Sequence, residues 1–406
     1  MGMPEQEQIT IGLHKLTMVP EDDGVLIGRP DTGSYALFPP EGAHVLRMLD
    51  SGVPVPGVAH WYEQACGSPL DVDDFLSVIA DLGFIRADGE GKRVMAPIRW
   101  QRLGRWTFSW PAWLCYITVI TAAVIAMAVH PALRPSYRDL FFTHYLSLIP
   151  LILVVAQVPC VLLHESFHAL AGRRLGLPSK LSLGRRLYFV VAETRLDALY
   201  SVPRRQRYLP LLAGILANLV LVSALTLLAE ALRSGHAVAW VSALPLAVAF
   251  TCVLGLIWQL LFYLETDLYF VVSQALRCPD LQAAARSYLR DWLRRLRGLP
   301  PAPPNSGWSD RDRAMARWYA PLLVAGYGFS LASLAWAGIP TIARICSSIL
   351  DRFTQPRTSV SGIADAVIFL ALFALQWGLL AYVTVRDRRA GSRDKPPERS
   401  PEGMLT

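Results

Sequence analysis

The stretch that decides the fold runs from Val161 to Gly172 and reads VLLHESFHALAG. It closes an apolar run that begins near Tyr145, so two histidines and a glutamate stand where an ionisable side chain costs about 2.5 to 3.5 kcal/mol at a membrane helix centre. Arg173 and Arg174 follow and mark the water boundary, with His164 about 13 Å deeper along a helix. The spacing gives these costly residues a purpose. His164, Glu165 and His168 satisfy the pattern H-E-x-x-H. Residues four apart share a helix face, so His164 and His168 can place both imidazoles on one ion while Glu165 stands beside a water as base. Zinc fits this donor set.

The rest of the chain agrees with a membrane setting. Of 406 residues, 53% are hydrophobic and 17% charged, and the mean hydropathy is +0.34. Six apolar runs are long enough to cross a bilayer, at about 107–129, 145–171, 209–231, 239–264, 318–343 and 362–385. Basic residues in the flanks and connections alternate, 29 on one side of these runs against 6 on the other. Short cytoplasmic loops hold the excess of Lys and Arg, so both termini are expected in the cytoplasm. Six cysteines show no paired spacing and read as free thiols. The acidic, polar N-terminus carries no sign of a cleavable signal peptide.

Residues 1–95 differ in character, with 15 Asp and Glu against 6 Lys and Arg. QITIGLHKLTMV, GVLIGR and GSYALF alternate as three short strands, the last two joined by the turn signal PDTG. Three helices are expected next, over PPEGAHVLRMLDSG, VPGVAHWYEQACG and DVDDFLSVIADLGF. The expected fold class is therefore a polytopic all-α membrane domain of six transmembrane helices, N-in and C-in, carrying an N-terminal α+β winged-helix domain. Its divisions are 1–95, a membrane domain over 96–385 and a disordered cytoplasmic tail over 386–406. Within the membrane domain, residues 279–298 form a basic amphipathic helix for the cytoplasmic membrane face, with Leu289, Trp292, Leu293 and Leu296 set against five arginines.

DGVLIGRPDTGSYALFPPEGAHVLRMLDSG followed by DVDDFLSVIADLGFI resembles the PqqD-like domains, winged-helix elements that hold the leader of ribosomally made peptides. The resemblance implies that a leader adds as a strand beside SYALF and packs on the third helix, with Tyr35, Leu37, Phe75 and Ile79 as contact candidates. For any one of them, ordinary core packing is the plainer role.

A catalytic zinc needs a third protein ligand and a position for water. The candidates lie in WQLLFYLETDLYFVV, where Asp267 is preferred and Glu265 is the alternative. Both the second and fourth runs head inward, so HESFH and Asp267 can meet at similar depth. Over about residues 150–276 the chain resembles the site-2 protease family of membrane zinc metallopeptidases, in the peptide zinc metalloprotease branch where a TDxY element replaces LDG. The resemblance implies zinc on His164, His168 and Asp267, Glu165 as general base and a polar contribution from Asn218 in LAGILANL. The family's NPxxPLDG pattern and its Gly-Pro pair are absent here. KLSLGRRLYFVVAET between these runs is patterned for strands that can extend a substrate.

Together these readings predict a zinc metalloendopeptidase that trims a precursor peptide in ribosomal natural-product maturation, its leader captured by residues 1–95. A non-proteolytic peptide receptor or export adaptor, and a regulated intramembrane protease of a signalling protein, are the alternatives. Expected partners are the precursor peptide, the lipid bilayer and other peptide-modifying enzymes or an exporter. No nucleic acid is expected. The expected location is a bacterial cell membrane, with the N-terminal domain and active site toward the cytoplasm.

Overall fold

The structure is a computed structural model that describes residues 11–22, 24–86, 98–143, 148–186, 189–196, 198–235, 238–278, 280–300, 310–338 and 360–393. Its N-terminal part opens with strands β1 (Thr17–Glu21), β2 (Gly24–Arg29) and β3 (Ser34–Phe38), an antiparallel meander in the order β1-β2-β3. Met18 pairs with Ile27 and Ile27 with Ala36, a register that turns Ile27 fully into the core. The PDTG turn is held by Arg29, whose Nε and Nη2 grip the two Asp31 carboxylate oxygens at 3.1 and 2.6 Å. Gly33 takes the left-handed conformation there, with φ 75°.

Three helices complete this part. α1 (Pro40–Asp50) starts on a proline, whose missing N–H is no loss in a first helical turn. α2 (Val55–Cys66) stops at Gly67, which is left-handed. α3 (Val72–Asp81) is capped by Asp71, which accepts from the Asp74 amide at 3.0 Å. Ile27, Phe38, Val45, Leu46, Leu49, Val58, Ile79 and Phe84 form the core. The first strand is shorter than its pattern predicts. Residues 8–10 lie outside the described residues, and Leu13 leaves the meander to bridge Ile85, closing the ends of the domain on each other.

Next come α4 (Gln101–Thr107), α5 (Trp110–Val129), α6 (Leu148–Arg174), the paired strands β4 (Lys180–Arg186) and β5 (Phe189–Arg195), then α7 (Arg204–Ser234) and α8 (Ala239–Trp258). α9 (Asp267–Leu276), α10 (Leu281–Leu296), α11 (Asp310–Ser333) and α12 (Val360–Arg393) follow. Among the described residues, five helices are long and apolar enough to cross a membrane, at Trp110–Val129, Leu148–Arg174, Arg204–Ser234, Trp240–Trp258 and Arg311–Trp336, and they mark a membrane protein. The fourth run, expected to reach 264, stops at Trp258. There the chain turns, makes a 3-10 turn over Phe262–Leu264 and passes through Glu265 in the left-handed region before α9 begins. The fifth run ends in a wide turn over Leu334–Gly338, and 339–343 lie outside the described residues. The sixth run falls within α12, which continues to Arg393 through VRDRRA, where three arginines and an alanine favour the helix. The remainder of the expected tail, 394–406, and residues 301–309 are outside the described residues.

Packing gathers the chain into two compact units, one of residues 1–112, 167–180 and 194–210, the other of 113–166, 181–193 and 211–406. In the first unit α4 lies hard against the end of α6. A Cβ on Gly104 would stand 2.4 Å from the Leu170 carbonyl oxygen, and Phe108 meets Phe167 edge-on at 5.9 Å. In the second unit Tyr263, Leu264, Tyr269, Leu281, Tyr319 and Leu323 form a buried cluster among α9, α10, α11 and the 3-10 turn.

Candidate metal centre

α6 carries HESFH near its C-terminal end. Glu165 and His168 are buried, and His164 is half-buried. His164 Nε2 lies 3.1 Å from Asp267 Oδ2 and 3.9 Å from Glu165 Oε1. One turn further along the helix, His168 Nδ1 is 2.7 Å from the carbonyl oxygen of Pro210. A carbonyl can only accept, so Nδ1 carries a proton, and Nε2 is the nitrogen that would ligate a metal.

The loop that delivers Asp267 is built for the purpose. Gln259, the residue after α8, accepts the Asp267 amide on its side-chain oxygen at 3.0 Å and the Thr266 hydroxyl on its backbone oxygen at 2.8 Å. Tyr319 donates to the Phe262 carbonyl at 3.0 Å, and the Tyr263 hydroxyl meets Ser330 Oγ at 3.0 Å, pinning the 3-10 turn to α11. Asp267 is the first residue of α9, where the helix dipole favours an ionised carboxylate by about 0.3 to 1 kcal/mol. Glu265 takes a different direction, with its carboxylate against the Gln282 amide on α10. Burial pushes the Tyr269 phenol up, keeping it neutral as it accepts the Gln282 amide at 3.0 Å.

A fit to zinc follows from these donors. Tetrahedral coordination at 2.0–2.1 Å sets neighbouring donor atoms about 3.3 Å apart. His164 and Asp267 stand at 3.1 Å, and one donor atom from each of His164, His168 and Asp267 lies within 4.8 Å of the others. Two imidazoles and one carboxylate suit zinc, and three protein ligands are the number found at catalytic zinc sites.

Comparison finds no match. No family model fits the sequence, and no curated protein and no solved structure matches it.

The remaining candidate residues fall as follows. Asn218 sits on α7, half-buried, with Gly255 of α8 opposite its amide nitrogen, and lies about 12 Å along the helix from Pro210. Leu37 is exposed on β3, which ends the sheet. Tyr35 packs against Tyr200 with ring centroids 5.8 Å apart. Phe75 meets Phe38 edge-on at 6.3 Å and is only partly buried. Ile79 is fully buried in the core and presents no surface to a peptide. Sequence reasoning missed Pro210, which acts through its backbone and so leaves no side-chain signal. It also missed Gln259, whose signal was a lone amide within GLIWQLLFYL.

Proposed function

We propose that this chain is a membrane-embedded zinc metalloendopeptidase that trims a leader-bearing precursor peptide in ribosomal natural-product maturation. The observation that carries the reading is Glu165, a buried carboxylate 3.9 Å from His164 Nε2 beside a His, His, Asp donor set. A purely structural metal site has no use for such a group. A peptidase does, because a water must lose a proton as it attacks the scissile carbonyl, and the leaving amine must gain one.

His164, His168 and Asp267 would hold the ion, and Pro210 orients the ring of His168 through Nδ1. The ion would supply Lewis-acid chemistry for attack of water on the scissile carbonyl. Glu165 accepts the water's proton and hands it to the departing amine. β4 and β5 offer strand edges along which a substrate backbone can be drawn out, since a helical peptide bond is closed to attack. Six spans, with α12 as the last, leave both termini and the site on the cytoplasmic side of a bacterial membrane, in line with the basic connections. Residues 1–95 act as a winged-helix reader that takes the leader as a fourth strand on the open side of β3, with Leu37 facing it. Exposed Leu37, at the end of the sheet, supports this.

The test is cleavage of a candidate precursor by purified, zinc-loaded protein in nanodiscs. Wild type should cleave and lose activity with a chelator. Glu165→Gln should keep its zinc and lose about 10²–10⁴-fold in rate. Equal cleavage by the two proteins sinks the assignment.

A further inference from the structure

We infer that Arg207, locked by Glu21 of β1, is a positioning residue for the metal ligand His168. On this inference the N-terminal domain is a structural part of the metal centre and not a tethered arm. The inference rests on the metallopeptidase reading and adds to it.

Arg207 is 3% exposed, although it carries a charge. Its Nη2 meets Glu21 Oε1 at 2.7 Å. Its Nε donates to the Val202 carbonyl at 2.9 Å and Nη2 to that of Tyr200 at 3.3 Å, and the guanidinium lies 5.2 Å from the centre of the Tyr200 ring. Tyr200 in turn packs on Tyr35 of β3. Glu21 is itself mostly covered, its side chain 19% exposed. Losing one partner of such a pair leaves a buried charge uncompensated, so this contact holds its two segments in one geometry. The neighbouring pair, Arg204 with Asp22 at 4.0 Å, is loose, and Asp22 is 59% exposed.

The consequence runs through one helical turn. Arg207 and Pro210 are three residues apart at the start of α7, and Pro210 holds Nδ1 of His168. Proline has no N–H, so the carbonyl of Gln206 lacks its helical donor and the first turns of α7 are short of one internal bond. External contacts must then fix where the Pro210 carbonyl points, and among the described residues the Arg207 fork on Glu21, Val202 and Tyr200 supplies such a contact. A partner that orients a metal-bound histidine commonly changes metal affinity by about 10- to 100-fold when lost.

The experiment measures zinc affinity of the full chain in nanodiscs, by competition with a chromophoric chelator, for wild type, Glu21→Ala, Arg207→Ala, their double variant and Asp22→Ala. The visible spectrum with cobalt(II) in place of zinc reads ligand geometry separately from folding. We expect Glu21→Ala and Arg207→Ala each to weaken zinc binding about tenfold and to alter the cobalt spectrum. The double variant should be no worse than the weaker single one, and Asp22→Ala should match wild type. The milder Glu21→Gln, which keeps a hydrogen-bond acceptor, should recover part of the loss and covers the case in which the alanine variants fail to fold. Zinc affinity within twofold of wild type in folded Glu21→Ala and Arg207→Ala, with an unchanged cobalt spectrum, overturns the inference and leaves the peptidase reading intact. A wild-type protein that binds no zinc overturns the peptidase reading itself.

Discussion

At the scale of single residues, the centre depends on which carboxylate turns toward His164. Asp267 does so from the first position of a helix, with its amide held by Gln259, while two residues earlier Glu265 is committed to Gln282. The two acids therefore have separable tasks. Asp267→Asn should lower zinc affinity by at least about tenfold, because an amide oxygen is a far weaker ligand than a carboxylate. Glu265→Gln should leave affinity within about threefold, since its neighbour Gln282 can still hydrogen-bond an amide. Chelator competition on both variants checks the pair, and equal loss in the two would place the third ligand elsewhere. Sequence left these two acids as alternatives because both sit in one short polar break. Only the left-handed turn at Glu265, φ 53°, sends them in different directions.

At the scale of elements, two contacts invite measurement. Gly104 lets α4 approach α6 so closely that any Cβ meets the Leu170 carbonyl at 2.4 Å, and the nearest atoms are backbone with no room to give. Gly104→Val should therefore destabilise the fold by about 1 to 3 kcal/mol, seen as a lower midpoint in thermal aggregation of the detergent-solubilised chain. The second is the Arg29–Asp31 fork. The hydrogen bonds from Arg29 hold the Asp31 carboxyl below the usual carboxylate range. A depressed carboxyl contributes stability that is present above its unfolded pKa and lost as pH falls through the folded one. Asp31→Asn should thus cost about 1 kcal/mol at pH 7. The gap to wild type should close at a pH well below about 4, in thermal unfolding of the detergent-solubilised chain followed across pH. A gap that persists at low pH would mean that Asp31 acts through the turn geometry alone.

Much of this level was legible in sequence, because local chemistry writes it. Asp71 before α3, Gly67 after α2 and PDTG between β2 and β3 each mark a boundary through a backbone requirement. The break at Trp258 was less legible. LIWQLLFYL stays apolar throughout, and its turn is set by Gln259 and by hydroxyl groups arriving from α11.

At the scale of the whole molecule, the proposed function has residues 1–95 capture the peptide that the membrane domain cuts. Leader capture on β3 predicts that free leader peptide, added in trans, inhibits cleavage of the precursor and spares a leaderless core peptide. Leu37→Glu should weaken that competition by about tenfold or more, because it sets a charge on the apolar strand face that the leader must cover. Inhibition of both substrates alike would remove the recognition role from this domain. Here the four residues expected to touch the leader divide by burial. Leu37 is open, Ile79 is spent on the core, Tyr35 leans on Tyr200, and Phe75 is shared between core and surface.

By itself the sequence determined the apolar runs, the boundaries written in capping and turn residues, and the placing of two imidazoles on one helix face with a carboxylate beside them. Each of these follows from periodicity or from a backbone rule acting over a few residues. The tertiary structure decided that Asp267 and not Glu265 reaches His164, that a proline carbonyl sets the tautomer of His168, and that Glu21 is joined to Arg207 across 186 positions of chain. Those three depend on which backbone groups and distant side chains meet, and no local pattern of residues encodes a meeting over such separations.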